Sequence, residues 1–143
     1  SDDAFPYLTR NLEGLGVDVV HGDMAEAFRH LDGAVDLVIA NPPYIPEKHR
    51  GLLPTDVVDH DPELALFSGD DGLDALRVVA DVAARLLLPG GHLATEHDES
   101  HAGEVVSLVA AAGFGDVTSH PDLTGRPRYV TGVRLPARGT MAP

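Results

Sequence analysis

The stretch Val35-Asp36-Leu37-Val38-Ile39-Ala40-Asn41-Pro42-Pro43-Tyr44 decides how the chain is read. Five of its first six residues are apolar, and the run lies between an Asp32-Gly33 turn signal and two prolines. It is too short for a helix and reads as a buried strand. Asn41-Pro42-Pro43-Tyr44 then leaves the C-terminal end of that strand, which is the end where open α/β sheets bind ligands. The prolines fix φ and hold the residue before each of them extended, so Asn41 and the proline carbonyls are expected to face one point with little freedom.

A stiff corner of this kind suits one chemical task. A planar NH2 group, in a carboxamide or on a nucleobase, is a poor nucleophile because its lone pair is delocalised. Acceptors on both N–H groups return electron density to nitrogen, and an aromatic ring on the flat face fixes its direction. Asn41 Oδ1 and a proline carbonyl are the candidate acceptors, with Tyr44 as the ring. The matching electrophile is a methyl group on a sulfonium, whose charge gains from a nearby aromatic face. The competing reading is an extended turn with no chemistry.

Outward from this stretch, the chain alternates strand and helix. Ser1-Asp2-Asp3 is a capping signal for an amphipathic helix carrying Phe5, Leu8, Leu12 and Leu15, ended by Gly14 and Gly16. Val17 to His21 reads as a short strand closing on Gly22-Asp23, and Met24 to Leu31 as a brief helix burying Phe28 and Leu31. Gly14-Leu15-Gly16 follows a helix and precedes a strand, the reverse of a dinucleotide loop. From Tyr44 to about Asp71 there is no periodicity, and a loop of that length implies a lid or binding segment. Leu73, Leu76, Val79, Ala80, Ala83 and Leu87 mark a helix stopped by Pro89-Gly90-Gly91. A strand His92 to Glu96, a helix from about Ser100 to Ala112, and an antiparallel strand pair at about 116–120 and 128–135 complete the pattern. The tail from Pro136 is expected to fray. The fold class is therefore α/β, a mostly parallel sheet with a C-terminal antiparallel hairpin.

The 143 residues amount to one domain. Ten basic against 23 acidic side chains give a formal net charge of −13, which disfavours phosphate-backbone binding by this segment. With no cysteine there is neither a disulfide nor a thiolate metal site. Apolar runs are short and broken by charge, so no membrane span is expected and a cytoplasmic location is the default. His97 and His101 lie four apart, but Asp98 stands where a zinc-protease helix needs Glu, so a solvated loop is favoured over a metal site. Glu96 either orients the loop at Tyr44 or caps the next helix, with capping favoured. Arg126, Arg128 and Tyr129 either meet a protein partner or serve as edge-strand charges. Asp59, His60 and Asp61 resemble parts of an acid–base relay.

Three blocks in order, Asn41-Pro42-Pro43-Tyr44-Ile45-Pro46, then Asp61-Pro62-Glu63-Leu64-Ala65-Leu66 running into Gly69-Asp70-Asp71-Gly72-Leu73, then Leu88-Pro89-Gly90-Gly91 leading to Glu96, make the chain resemble the HemK/PrmC peptide-chain release factor glutamine N5-methyltransferases. That family belongs to the class I S-adenosylmethionine-dependent methyltransferases, with a Rossmann-like fold. The tetrapeptide is shared with other amino-group methyltransferases, and the second block is the more discriminating. The resemblance implies methyl transfer to a glutamine side-chain amide in a release factor. Asp23 would bind the adenine amino group and Met24 would flank the adenine. Asn41 would touch both cofactor and substrate, and Pro42, Pro43 and Tyr44 would hold the carboxamide. It makes residues 1–135 the C-terminal part of a catalytic domain. The family's glycine-rich cofactor loop has no counterpart in these residues, so this chain alone is expected to be inactive, with a gap in its sheet after the first strand. The family's Gly and Gln after the strand-end Glu are also replaced, by His97-Asp98-Glu99-Ser100-His101. The alternatives are methylation of an exocyclic amine in DNA or RNA, or a non-catalytic fragment.

Overall fold

The computed structural model describes residues 1–136. Its elements are α1 (Phe5–Leu12), β1 (Val35–Ala40), α2 (Thr55–His60), α3 (Glu63–Leu66), α4 (Asp74–Leu86), β2 (Leu87–Glu96), α5 (Ala102–Ala111), β3 (Phe114–Pro121) and β4 (Pro127–Arg134). They form one sheet in the order β1-β2-β4-β3. β1 runs parallel to β2, and β4 runs antiparallel to both β2 and β3. Three strands thus share a direction and only β4 is reversed, as the alternation of elements implied. β4 is an interior strand between β2 and β3, so the edge-charge reading of Arg128 and Tyr129 does not hold.

The core forms where helix faces meet sheet faces. Leu73 at the mouth of α4 and Leu76, Val79 and Ala83 along it cluster with Leu87 and Leu93 of β2, Val105 and Val109 of α5, Phe114 of β3 and Val130 of β4. The spacing of the α4 residues puts them on one stripe. Their burial contributes about 1.5–3 kcal/mol for each large aliphatic side chain. Ser68 helps to start α4, because its Oγ accepts the Ala75 amide at 2.7 Å, one of the donors the first turn leaves open. At the C-terminal end of α5, Gly113 takes φ +93 and provides the expected left-handed exit.

Four elements depart from expectation. Val17 to His21 forms neither helix nor strand and joins no ladder among the described residues, and Val17 and Val20 are exposed. A strand is made by its partners, and here none flanks this segment. Met24 to Leu31 is a series of turns followed by a 3-10 turn at Arg29–Leu31, interrupted by Phe28 at φ 56, and Leu31 is exposed. The supposed loop from 44 to 71 holds a 3-10 segment at Glu47–Leu52 together with α2 and α3. β2 begins at Leu87, ahead of the prolyl-glycyl stop. Two steps of β1, Val35 to Leu37, are matched by five of β2, Leu87 to His92, so Pro89-Gly90-Gly91 swells out of the ladder. The frayed tail lies, beyond Pro136, outside the described residues.

β1 is only half buried. Val35, Val38 and Ala40 pack on the core, whereas Leu37 and Ile39 lie on the other face, Ile39 with 74% of its surface exposed. The turns before β1 are fastened to the end of α4. Arg85 pairs with Asp32 and donates to the Ala27 carbonyl at 2.8 Å, and the Arg85 carbonyl accepts the Gly33 amide at 2.9 Å.

Candidate active site

Ala40 pairs with Thr95, so Asn41 and Glu96 leave the parallel β1–β2 ladder side by side at its C-terminal end. Asn41 is exposed, Pro42 is buried, and Tyr44 packs against the core. Asn41 and Tyr44 open onto a single cavity of about 300 Å³, whose other walls are Pro42, Pro43, Ile45, Ala65 and Leu66.

A second stretch of sequence backs this corner. Ile45 donates its amide to Leu66 at 2.9 Å and accepts the Ser68 amide at 3.0 Å, and Glu47 donates to Gly69 at 3.0 Å. Ile45 and Phe67 form a parallel bridge. Gly72, at φ +79, lies so close that a Cβ there would sit 2.5 Å from the Tyr44 carbonyl and 2.9 Å from His101 Cε1. The block from Asp61 to Leu73 is therefore the plate on which the Asn-Pro-Pro-Tyr corner is mounted. Arg50 tightens the mounting by pairing with Glu63 and Glu47 while its guanidinium lies 4.1 Å from the Phe67 ring centre. Asp59, His60 and Asp61 are exposed and line no part of the cavity beside Asn41.

Glu96 serves the corner rather than the helix. Tyr44 donates its hydroxyl to Glu96 Oε1 at 3.4 Å, and the cap is Asp98, which accepts the Ser100 amide at 2.9 Å at the start of the 3-10 turn Glu99–His101 leading into α5. The capping assignment thus moves by two residues, and the signal was present, since Asp is a preferred N-cap. Burial, followed by the charge of Glu96, raises the Tyr44 phenol above its ordinary value, so it stays a neutral donor. At Asp98 burial pushes upward, but hydrogen bonds from Ser100 and the proximity of His101 and Arg128 prevail and hold it below the usual carboxylate value.

His97 is fully buried rather than solvated. Its Nδ1 donates to the Asp98 carbonyl at 2.7 Å, and its amide donates to the Arg128 carbonyl at 2.9 Å, extending the β2–β4 pairing by one step. His97 Nε2 and His101 Nδ1 are buried without a partner among the described residues. Among the described residues, no group of three or more His, Asp or Glu side chains converges on one point.

Asp23 and Met24 stand apart from this cavity and are exposed. Asp23 Oδ1 accepts the Ala25 amide at 2.9 Å, opening the turns at 24–28, and leaves Oδ2 uncommitted among the described residues. An exposed carboxylate with one free oxygen can accept from an amino group of a ligand, and the exposed Asn41 amide can both donate and accept.

No family model matches the chain. Among curated proteins it is 48% identical over 132 residues to the release factor glutamine methyltransferase of Streptomyces coelicolor, covering 92% of this chain and 47% of that protein. It is 43% identical over 145 residues to the enzyme of that name from Mycobacterium tuberculosis, covering 97% and 47% respectively. The chain is a relative of the release factor glutamine methyltransferases. It spans about half the length of these curated relatives. A 4-amino-L-phenylalanine/4-methylamino-L-phenylalanine methyltransferase from Streptomyces pristinaespiralis is also 47% identical over 113 residues, covering 78% of this chain and 38% of that one. Solved structures share the methyltransferase fold. A predicted O-methyltransferase from Agrobacterium tumefaciens superposes with a TM-score of 0.58 at 20% identity, over 96% of this chain and 63% of that chain. A complex from E. cuniculi responsible for methylation of the eRF1 termination factor superposes at 0.52 and 20% identity, over 87% and 66%. The architecture is the Rossmann-like methyltransferase fold read from the sequence.

Proposed function

We propose that this protein transfers a methyl group from S-adenosylmethionine to the side-chain amide nitrogen of a glutamine in a peptide-chain release factor, in the cytoplasm, with residues 1–135 forming the C-terminal part of its catalytic domain. The observation that carries the proposal is that Asn41 and Tyr44 share one cavity at the C-terminal end of parallel strands, with Tyr44 tethered to Glu96.

When bound, S-adenosylmethionine supplies a methyl on a positively charged sulfur. Asp23 Oδ2, Met24 and Asn41 are the groups that would hold it. Asn41 Oδ1 and the carbonyl of Pro42 accept the two N–H bonds of the substrate carboxamide and raise electron density on its nitrogen. The Tyr44 ring lies on the flat face of the amide, and its tether to Glu96 restricts the ring's rotation. Pro43 and the plate behind it hold these acceptors in place before substrate arrives, so the rate gain comes from positioning. These residues would hold the substrate nitrogen facing the methyl that the cofactor supplies, and the proton that nitrogen sheds would pass to water, so no strong base would be required.

Asn41→Ala removes one acceptor. Turnover should fall by about a hundredfold or more with an unchanged circular dichroism spectrum. Turnover equal to that of the unsubstituted protein would end this reading. A second reading is favoured by the Streptomyces pristinaespiralis relative, whose name describes methylation of an aromatic amine. Incorporation of labelled methyl into release factor, 4-aminophenylalanine and an oligonucleotide, measured side by side, separates these readings. The net charge of −13 argues against the oligonucleotide.

A further inference from the structure

Tyr44 is a wall shared by two cavities. Behind the one that holds Asn41 lies another of about 270 Å³, bounded by Tyr44, Ile45 and Leu53 on one side and by Asp98, Ser100 and Arg128 on the other. Their proximity limits what the second cavity can receive. A glutamine side chain places its amide nitrogen only about four single bonds of roughly 1.5 Å from its own Cα. A protein acceptor whose carboxamide fills the first cavity must therefore lead its main chain away within a few ångströms of Tyr44.

The polar wall of the second cavity is unevenly engaged. Asp98 is already occupied, since its Oδ1 accepts both the amide and the hydroxyl of Ser100. Arg128 is not. Its side chain is partly buried, its ion-pair neighbour Asp122 stands 3.8 Å away, the charge of Asp98 lies close by, and it donates no hydrogen bond to any described residue. That separation is too long for a charge-assisted hydrogen bond. A guanidinium held in an apolar-sided hollow with its donors open fits an oxygen acceptor arriving from outside. The walls around it have room for one residue of extended chain.

We propose that Arg128 is a substrate-binding residue that donates to the main-chain carbonyl of the residue next to the methyl-accepting glutamine, with the cavity behind Tyr44 receiving that residue. This rests on the reading of the Asn41 cavity as an amide methyltransferase site. The role belongs to binding rather than to bond making, and it makes the enzyme selective for a glutamine within a chain.

The test uses the intact protein with S-adenosylmethionine and two peptides, one with alanine on both sides of the glutamine and one with glutamate beside it. Arg128→Ala should raise KM about tenfold or more for both peptides, with kcat changed less than about threefold and cofactor affinity unaltered. Arg128→Lys should recover part of the loss. Leu52→Glu places a competing carboxylate at the rim of the same cavity, at a side chain 78% exposed where folding is not at risk, and should also raise KM. A KM within about twofold of the unsubstituted protein in Arg128→Ala or in Leu52→Glu overturns the proposal. So does a loss confined to the glutamate peptide, which would make a carboxylate the ligand, and so does a parallel loss of cofactor binding, which would make Arg128 structural. If the unsubstituted protein methylates neither peptide nor release factor, the reading of the Asn41 cavity fails instead.

Discussion

The chain divides into two regions that use apolar residues in opposite ways. From Leu73 onward most are buried, Leu123, Tyr129 and Leu135 excepted, and every fully enclosed hydrophobic side chain of the core belongs to this part. Before Asn41 most face outward, with Leu8, Leu15, Val17, Val20, Leu37 and Ile39 all exposed and only Val35, Val38 and Ala40 packed on the core. Composition does not separate the regions, because both contain amphipathic helices and β-branched runs. The difference is that α4 and α5 lie on a sheet, whereas α1 buries none of its residues. Periodicity announces a face that can be covered, and tertiary neighbours decide whether it is.

The sharpest way to break this comparison is to remove one large apolar side chain from each region. Leu93→Ala, in the buried stretch of β2, should cost about 2–5 kcal/mol in chemical denaturation. Ile39→Ala, on the open face of β1, should change stability by less than about 0.5 kcal/mol. Similar costs at the two positions would show that β1 is covered in solution and that the division is false.

Next in size is the joint between the regions. Gly72→Ala forces a Cβ toward the Tyr44 carbonyl at a left-handed backbone position, and should destabilise the fold by about 1–3 kcal/mol. Gly51→Ala, where a Cβ meets nothing, is the control and should be close to neutral. Arg85→Ala removes the fastening between α4 and the turns at 25–33. It should speed amide hydrogen exchange at Gly33 about tenfold while leaving β3 and β4 protected.

The smallest effect expected is a pH dependence in the packed region's surface. Hydrogen bonds from Arg77, with the Leu73 amide adding to them, hold the Asp71 carboxyl down at about 2 from an ordinary 3.8. A carboxyl lowered in the folded state stabilises above its unfolded value, and that contribution fades as the pH falls from near 3.8 through about 2. The stability difference between the unsubstituted protein and Asp71→Asn should be constant above about pH 5 and shrink below pH 4. A difference that grows on acidification would contradict the Arg77 contact.

What could be read in the sequence follows the same division. α4, α5 and the terminal hairpin were legible because Leu76, Val79, Ala83, Val105 and Val109 repeat at helical spacing and the turn at 122–126 is short. Val17 to His21 has strand composition but no ladder, and no local pattern records whether a partner exists. The Asn41–Tyr44 corner was legible because proline restricts backbone locally. The tie from Ile45 to Leu66 and Ser68 was not, since it joins residues far apart in the chain. Arg128 was misjudged because its place beside Tyr44 depends on β4 lying inside the sheet. Glu96 was assigned to the helix because capping depends on a position two residues away, at Asp98.

The closeness of Gly72 to the Tyr44 oxygen has a consequence for protein engineering. Copying the four-residue corner into a foreign scaffold would carry over its chemistry without its footing, because the oxygen needs a side-chain-free neighbour and Ile45 needs the 66–68 strip to lean on. The smallest transferable unit is a pair of segments, 41–47 together with 65–73, and a designer retargeting one would have to recut the other in the same step.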